Sequence, residues 1–480
     1  MNKIPTPIIS ILPIGILILL LTLIIPIFGS DALAGGSQIA LLTTTAICAF
    51  IGIVFYKQKW ENFERAITKN ITGVSTALII LLIIGALSSV WMISGVVPTL
   101  IYYGVQIIHP KFFLASTCII AALVSVMTGS SWTTIATIGI ALMGIGRAQG
   151  FSDGWIAGAI ISGAYFGDKI SPLSDTTILA SSISETPLFQ HIRYMLITTI
   201  PSLCITLLLF GIAGFTETVN DTNQINLFIN ELSGKFTISP WLLAVPIITA
   251  ILIAKKTPSI ITLFISTLLA SVFAILFQPD LLLEIANEID MSYSKNIFKA
   301  TLLTLYGDTQ IATNDPILTE LVTTRGMAGM LNTVWLIICA MCFGGAMTAA
   351  GMIKSITNSF TRLIKNRLSL VSSTVGSGLF LNLATADQYI SVILTSNMFR
   401  DIYKKMGYES RLLSRTTEDA VTVTSVLIPW NSCGMTHATI LNVPTIVYLP
   451  YCFFNIISPI MSIIIAAIGY KIFKREPSTD

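Results

Sequence analysis

The chain has 480 residues, of which 54% are hydrophobic and only 11% charged, and its mean hydropathy is +0.81. Soluble domains carry about 25% charged residues, so the composition excludes an ordinary soluble fold and makes lipid the solvent of most of the surface. The formal net charge of +3 comes from Lys and Arg grouped in short loops with no basic stripe along a helix, which argues against nucleic acid as a partner.

In chain order, the first apolar run follows a single Lys3, contains Pro13 and Pro26, and has no clear small-residue cleavage site; it reads as a retained first helix. It starts near residue 8, and further runs long enough to cross roughly 30 Å of hydrocarbon, about 20 residues each, start near residues 39, 72, 194, 239, 259, 330 and 444. Four other stretches, 112–147, 154–190, 368–399 and 416–440, are broken by Gly, Pro, Ser, Thr and acids. The seven cysteines, Cys48, Cys118, Cys204, Cys339, Cys342, Cys433 and Cys452, lie mostly inside apolar runs and form no CxxC unit. They read as small core residues, with neither a disulfide framework nor a metal site.

Basic loops mark the cytoplasmic side. They are Lys57 to Lys69, Lys255 with Lys256, Lys354 to Arg367, Arg400 to Arg415, and Lys471 to Arg475. The segments around Asp31, from Glu217 to Glu231 and from Asp280 to Glu320 are neutral or acid-rich and belong outside. With both flanks of 368–399 inside, that stretch must enter and return as a hairpin, and 112–147 becomes a hairpin entered from the opposite side. The expected fold is an all-α polytopic membrane protein of ten crossings, with both termini cytoplasmic. It consists of two inverted-topology repeats, each with five crossings, one of them broken, and one re-entrant helical hairpin. The first repeat covers 1–215, with hairpin 112–147 and broken helix 154–190; a linker outside the cytoplasm covers 216–238. The second covers 239–480, with an outer segment 278–329, hairpin 368–399 and broken helix 416–440. The outer segment is open to roles as a lid, an amphipathic surface element or an oligomer contact, so a homodimer stays open.

One offset of 257 residues relates the halves: Gly150 to Gly407, Pro172 to Pro429, Trp132 to Tyr389, Phe151 to Tyr408, Ser174 to Asn431 and Ser130 to Asp387. Interrupted helices at corresponding positions of inverted repeats point to a transport site at the midplane. In 154–190, Pro172 cannot donate a helix hydrogen bond and disfavours helix at Ser171, so carbonyls are exposed beside the hard oxygens of Asp168, Ser171, Ser174, Asp175, Thr176 and Thr177. In 416–440, Pro429 breaks the second crossing beside Thr422, Thr424, Ser425, Asn431, Ser432 and Thr436. The hairpin tips add Thr128, Gly129, Ser130 and Ser131 on one side and Asn382, Thr385, Asp387 and Gln388 on the other. A carboxylate at the bilayer centre costs about 2.5 to 3.5 kcal/mol on insertion scales, which makes Asp175 with Asp387 the expected ion-coupling pair.

Glu418 and Asp419 lie just past Arg411 and Arg415 and divide evenly between a gating role and surface ion pairs at the cytoplasmic entrance. His109 and His191 read as interfacial loop residues. His437, eight positions after the second break, is a candidate for substrate contact. There is no Walker loop, no GxGxxG opening a helix after a strand and no HExxH, so neither an enzyme nor a primary pump is indicated and the driving energy is an ion gradient.

The stretches SGAYFGDKISPLSDTT (Ser162 to Thr177), ADQYISVIL followed by MFRDIYKKMG (Ala386 to Gly407) and LSRTTEDAVTVTSVLIPWNSCG (Leu413 to Gly434) resemble the NhaC-type sodium/proton antiporter family, in the same order and over most of the chain. The resemblance implies an ion-transporter-superfamily fold with paired hairpins and exchange of sodium for protons in a bacterial inner membrane, with no cofactor beyond the transported ions. Position by position it supports Asp168, Ser171, Ser174, Asp175, Thr176, Asp387, Asn431 and Ser432 as ion or proton ligands, with Glu418 and Asp419 as further candidates. The family also includes exchangers of malate for sodium and lactate, and proteins proposed to carry amino acids. A sodium-coupled carrier of an organic carboxylate or amino acid is therefore the alternative, using a cavity near Ser130, Asn431 and His437; Ser131, Asn382 and Thr385 are further substrate or gating candidates.

Overall fold

With no water in the bilayer core, a spanning segment must satisfy its N–H and C=O groups within itself, so the apolar runs fold as helices. The computed structural model describes residues 4–28, 34–217, 222–255, 257–286, 292–311, 313–314 and 316–474. Lys3, Asp31, Lys256 and Arg475 of the charge pattern lie outside the described residues. The chain opens with α1 (Pro7–Phe28), α2 (Gly36–Val54), α3 (Trp60–Ile93) and α4 (Val96–Ile107). Gly95, at φ 85°, makes the left-handed corner between α3 and α4, a conformation glycine adopts without a Cβ clash. A short turn leads into α5 (Phe113–Thr128); α6 (Ser131–Thr134) then runs through a π turn, Ile135–Gly139, into α7 (Ile140–Ala148).

The helices α8 (Asp153–Ile170) and α9 (Asp175–Ile183) flank Pro172, and α10 (Leu188–Thr216), α11 (Thr222–Lys235), α12 (Ala244–Ala254) and α13 (Ser259–Phe277) follow. Residues 278–329, expected from the sequence to lie outside, hold α14 (Pro279–Ala286), α15 (Tyr293–Tyr306) and α16 (Pro316–Val322). They are tied to the body by Lys235–Glu284 (2.9 Å) and Arg147–Glu320 (3.7 Å) ion pairs and by Gly326 N–H donating to Ser89 Oγ (2.8 Å). Next come α17 (Leu331–Ala349), α18 (Met352–Arg362), α19 (Arg367–Thr385), α20 (Gln388–Lys405) and α21 (Ser410–Thr417). A π turn, Glu418–Thr422, and the break around Pro429 precede α22 (Ser432–Leu441), α23 (Thr445–Tyr448) and α24 (Phe453–Ile468). Among the described residues the only β pairing is two isolated bridges.

Eight of these helices are long and apolar enough to cross a membrane, or ten if the bent pairs Gln224–Lys235 with Pro240–Ala254 (89°) and Thr445–Tyr451 with Phe453–Ile468 (55°) are each one span. Large apolar side chains point outward along them, with Ile8 at 84%, Leu208 at 61% and Leu276 at 66% exposure, the surface a lipid-facing helix needs. The protein is therefore a multi-pass, all-α membrane protein. By length and apolarity the spans include Pro110–Thr128 and Arg367–Thr385, which the sequence reading takes as hairpin arms. The segments around α8–α9 and α21–α22, read as crossings, are not among them: α8 is long enough but carries Asp153, Asp168 and Lys169, and α9, α21 and α22 are short helices beside the breaks around Pro172 and Pro429.

Both of those arms turn back. Phe113, at the start of α5, stacks on Phe151, beyond the end of α7, at 5.3 Å between ring centroids. Thr374 Oγ1 of α19 lies 3.1 Å from the Tyr403 hydroxyl of α20. The far ends of each helix pair are thus side by side. Small residues let α8 press against α5: a Cβ at Gly163 would fall on the Cys118 carbonyl, and one at Gly167 on the Ala122 carbonyl. Such close approach is how membrane helices gain packing energy without a hydrophobic drive between them, and it lets Ser125 Oγ reach the Ala164 carbonyl at 2.6 Å.

Candidate ion site

The two helix-to-helix turns are built alike, at the 257-residue offset. Each has one left-handed residue, Gly129 (φ 65°) and Ala386 (φ 59°), followed by an N-cap whose side chain accepts from the backbone three residues on: Ser130 Oγ from Thr133 N–H (3.2 Å) and Asp387 Oδ1 from Ile390 N–H (2.9 Å). The threonine before each turn bonds across it. Thr128 Oγ1 accepts from Ser130 N–H (3.2 Å) and lies 3.1 Å from Thr134 Oγ1; Thr385 Oγ1 accepts from Asp387 N–H (3.3 Å) and lies 2.8 Å from Ser391 Oγ. These side chains supply partners for amides that the start of a helix leaves unpaired.

Each turn meets a break. After α8 the backbone is extended at Ser171 and Ser174. Ser171 Oγ donates to the Val126 carbonyl (2.8 Å), Ser174 Oγ lies 3.0 Å from Thr176 Oγ1, and Thr177 Oγ1 donates back to the Lys169 carbonyl (3.0 Å). At the second break Ser432 N–H donates to the Ala386 carbonyl (2.8 Å). Asn431 Nδ2 donates to the Asn382 carbonyl (3.1 Å), and Asn382 Nδ2 to the Val421 carbonyl (2.8 Å). Trp430 Nε1 donates to the Leu383 carbonyl (2.9 Å).

A buried carboxyl group lies at each meeting point, supplied from opposite sides. Asp168 Oδ2, on the helix before the first break, accepts from Ser131 N–H (3.0 Å) and Ser131 Oγ (2.7 Å) on the turn. Asp387 Oδ2, on the second turn, accepts from Ser432 Oγ (3.1 Å) just past the second break. Acid and serine have exchanged places between the two halves. Asp175 differs from the expectation in its environment: it begins α9 as an exposed residue, whereas Asp168, Asp387, Ser171, Ser174, Thr176, Asn431 and Ser432 are buried. Trp132, at the first turn, stands edge-on 5.9 Å from His437, past the second break, so the two meeting points neighbour one another.

A second cluster, of buried charge, was not assembled by the sequence reading. Glu418 and Asp419 are fully buried with Lys169 and Arg415, which removes the surface ion-pair reading. Lys169 Nζ pairs with Asp419 Oδ1 and donates to Ser458 Oγ (3.1 Å). Asp419 Oδ1 also accepts from Thr198 (3.0 Å) and Ser458 (3.1 Å). Arg415 Nε stands 3.8 Å from Asp419 Oδ2, its guanidinium 4.7 Å above the Tyr194 ring. One signal was available: a Lys inside an interrupted apolar crossing, GDKIS, requires a buried partner.

His191 is also buried, on α10, with Nδ1 2.8 Å from Ser414 Oγ, which corrects the interfacial reading; His109 is exposed. His437 Nε2 lies 3.0 Å from the Tyr165 hydroxyl, with Trp132 edge-on at 5.9 Å, while its Nδ1 has no partner. The site as a whole is a set of hard oxygens, and among the described residues no three or more His, Cys, Asp or Glu are grouped to hold a resident metal.

Residues 163–470 match the profile of the Na+/H+ antiporter family. This chain belongs to that family. Among its relatives, the Na+/H+ antiporter NhaC of Alkalihalophilus pseudofirmus is 35% identical over 90% of each chain. The Na+/H+ antiporter NhaC of Bacillus subtilis is 34% identical over 85% of this chain and 87% of its own. The malate-2H+/Na+-lactate antiporter of Bacillus subtilis is likewise 35% identical, over 92% of this chain and 91% of its own. The family match spans both breaks, the second turn and the buried charge cluster of this antiporter-family chain.

Proposed function

We propose that this chain exchanges sodium ions for protons across a bacterial plasma membrane by alternating access, with both termini in the cytoplasm and its halves, 1–215 and 239–480, acting as inverted repeats. Family membership supports the reaction. The observation that carries the site is the pair of buried carboxyl groups, Asp168 and Asp387, each bonded to a serine where a helical turn meets an interrupted helix. A carboxylate there is too costly to lie in lipid unused, and carboxylate, hydroxyl and freed carbonyl oxygens suit a partly dehydrated alkali cation.

Sodium and a proton compete for the same oxygens, and either one neutralises the charge so that the loaded site can be exposed to the other side. That competition is the coupling. Ser171, Ser174, Thr176, Asn431 and Ser432 hold the breaks open and offer oxygens to the ion, while the exposed Asp175 receives the cation at the mouth. In proteoliposomes, Asp168→Asn or Asp387→Asn is expected to abolish sodium-dependent proton movement; unchanged flux would remove that residue from the site. Asp175→Asn is expected to weaken sodium dependence without abolishing exchange.

A second reading, a sodium-coupled carrier of an organic carboxylate or amino acid, is favoured by the malate/lactate relative and by the unpartnered His437 Nδ1 beside Tyr165 and Trp132. Sodium-driven uptake of radiolabelled malate, lactate or an amino acid would establish it, and proton exchange with no solute uptake would eliminate it.

A further inference from the structure

The buried charges beside the second break are unevenly supplied with hydrogen bonds. Asp419 Oδ1 receives donors from Lys169, Thr198 and Ser458, whereas neither carboxyl oxygen of the fully enclosed Glu418 has a partner and none of the three guanidinium nitrogens of Arg415 has a hydrogen bond. Glu418 opens the π turn Glu418–Thr422, a local widening of the helix that recurs at functional sites. An ionised carboxylate enclosed away from water, with only the Thr422 hydroxyl of its own turn at hand, is strongly disfavoured, so this geometry suits a neutral, proton-bearing carboxyl. Once the proton leaves, Arg415 is a waiting donor: residues three apart on a helix are neighbours.

We propose that Glu418, a carboxyl separate from the sodium-binding oxygens, relays the proton that competes with sodium there, passing it between those oxygens and water. The inference rests on the antiport reading. Lys169 and Asp168 act on Glu418 from α8, and Asp419 from its own turn; Arg415 precedes it on α21. Of the other helices packed against the turn, α20 brings the buried Tyr403, held by Thr374, while its Tyr389, Arg400, Asp401, Lys404 and Lys405 are exposed or half-buried, and α9 brings only the exposed Asp175. The ionisable residue of α19, Arg367, is bonded to the Ala466 and Ala467 carbonyls, and α24 has none. Glu418 is thus the one carboxyl of this cluster whose charge changes without breaking an existing bond, and its ionisation would compete with Asp419 for Lys169.

The test uses the full chain in proteoliposomes, with two readouts: counterflow of radiolabelled sodium, which needs no net proton movement, and sodium-driven proton movement followed with a pH dye. Glu418→Gln, and Glu418→Met as an apolar replacement that leaves no unsatisfied oxygen, are expected to keep counterflow within about twofold of the wild type while proton movement falls at least about tenfold and loses its pH dependence. Glu418→Asp, which restores a titrating carboxyl, is expected to regain proton movement. Unchanged proton movement and pH profile in Glu418→Gln would overturn the proposal, as would loss of counterflow in both the Gln and Met variants. A wild-type protein without sodium counterflow would instead sink the antiport reading beneath it.

Discussion

Ser131 spends two donors on one carboxyl oxygen, Oδ2 of Asp168, through its amide and its hydroxyl. Removing the hydroxyl in Ser131→Ala leaves the amide in place, so the carboxyl keeps its position and loses one short bond. A hydrogen bond to a charged group contributes about 1.5 to 3 kcal/mol, and the low end corresponds to a factor of about ten in an equilibrium constant. The sodium concentration giving half-maximal exchange is expected to shift by roughly that factor, in a direction that tells whether Ser131 serves the ion-bound or the ion-free carboxylate. No shift at all would take the hydroxyl out of the ion's path. Lys169, the next residue along, pairs instead with Asp419, because neighbours on a helix point about 100° apart.

The hairpin of α5 to α7 stays in position against α8 through glycine-backed contact, and the Ser131–Asp168 bond depends on that contact. Gly167→Val would drive a branched side chain into the Ala122 carbonyl and the Val126 amide, and overpacking of this kind costs about 1 to 3 kcal/mol. The expected outcome is a lower thermal midpoint for the purified protein together with weakened sodium dependence, since separating the helices pulls Ser131 from Asp168. An unchanged midpoint would mean that α5 relaxes freely. The breaks themselves were legible from Pro172 and Pro429, because a proline without an N–H and a disfavoured helical residue before it are local facts. The left-handed Ala386 was not legible, since alanine has no local preference for that conformation.

At the scale of the molecule, the Lys169–Asp419 pair joins α8 to the π turn after α21, segments that lie 250 residues apart in the chain. Breaking a buried pair by removing one partner costs about 3 to 5 kcal/mol, because the other charge is left without compensation. Lys169→Met or Asp419→Leu alone is therefore expected to lower the thermal midpoint sharply, and the double variant to recover most of the loss. Additive losses in the double variant would show that the pair contributes nothing as a pair.

The sequence by itself determined the solvent, the helices and the positions of the breaks, because each follows from local chemistry: apolar length, charge count and proline. It also brought forward Asp168, Asp387, Asn431 and Ser432, since acids and amides inside apolar segments stand out. Only the tertiary structure decided which oxygens meet. It buried Asp168 and left Asp175 exposed seven residues later, gave Lys169 to Asp419 rather than to the adjacent acid, and enclosed Glu418 away from water. Burial and pairing depend on which faces of distant helices come into contact, and no stretch of twenty residues carries that information.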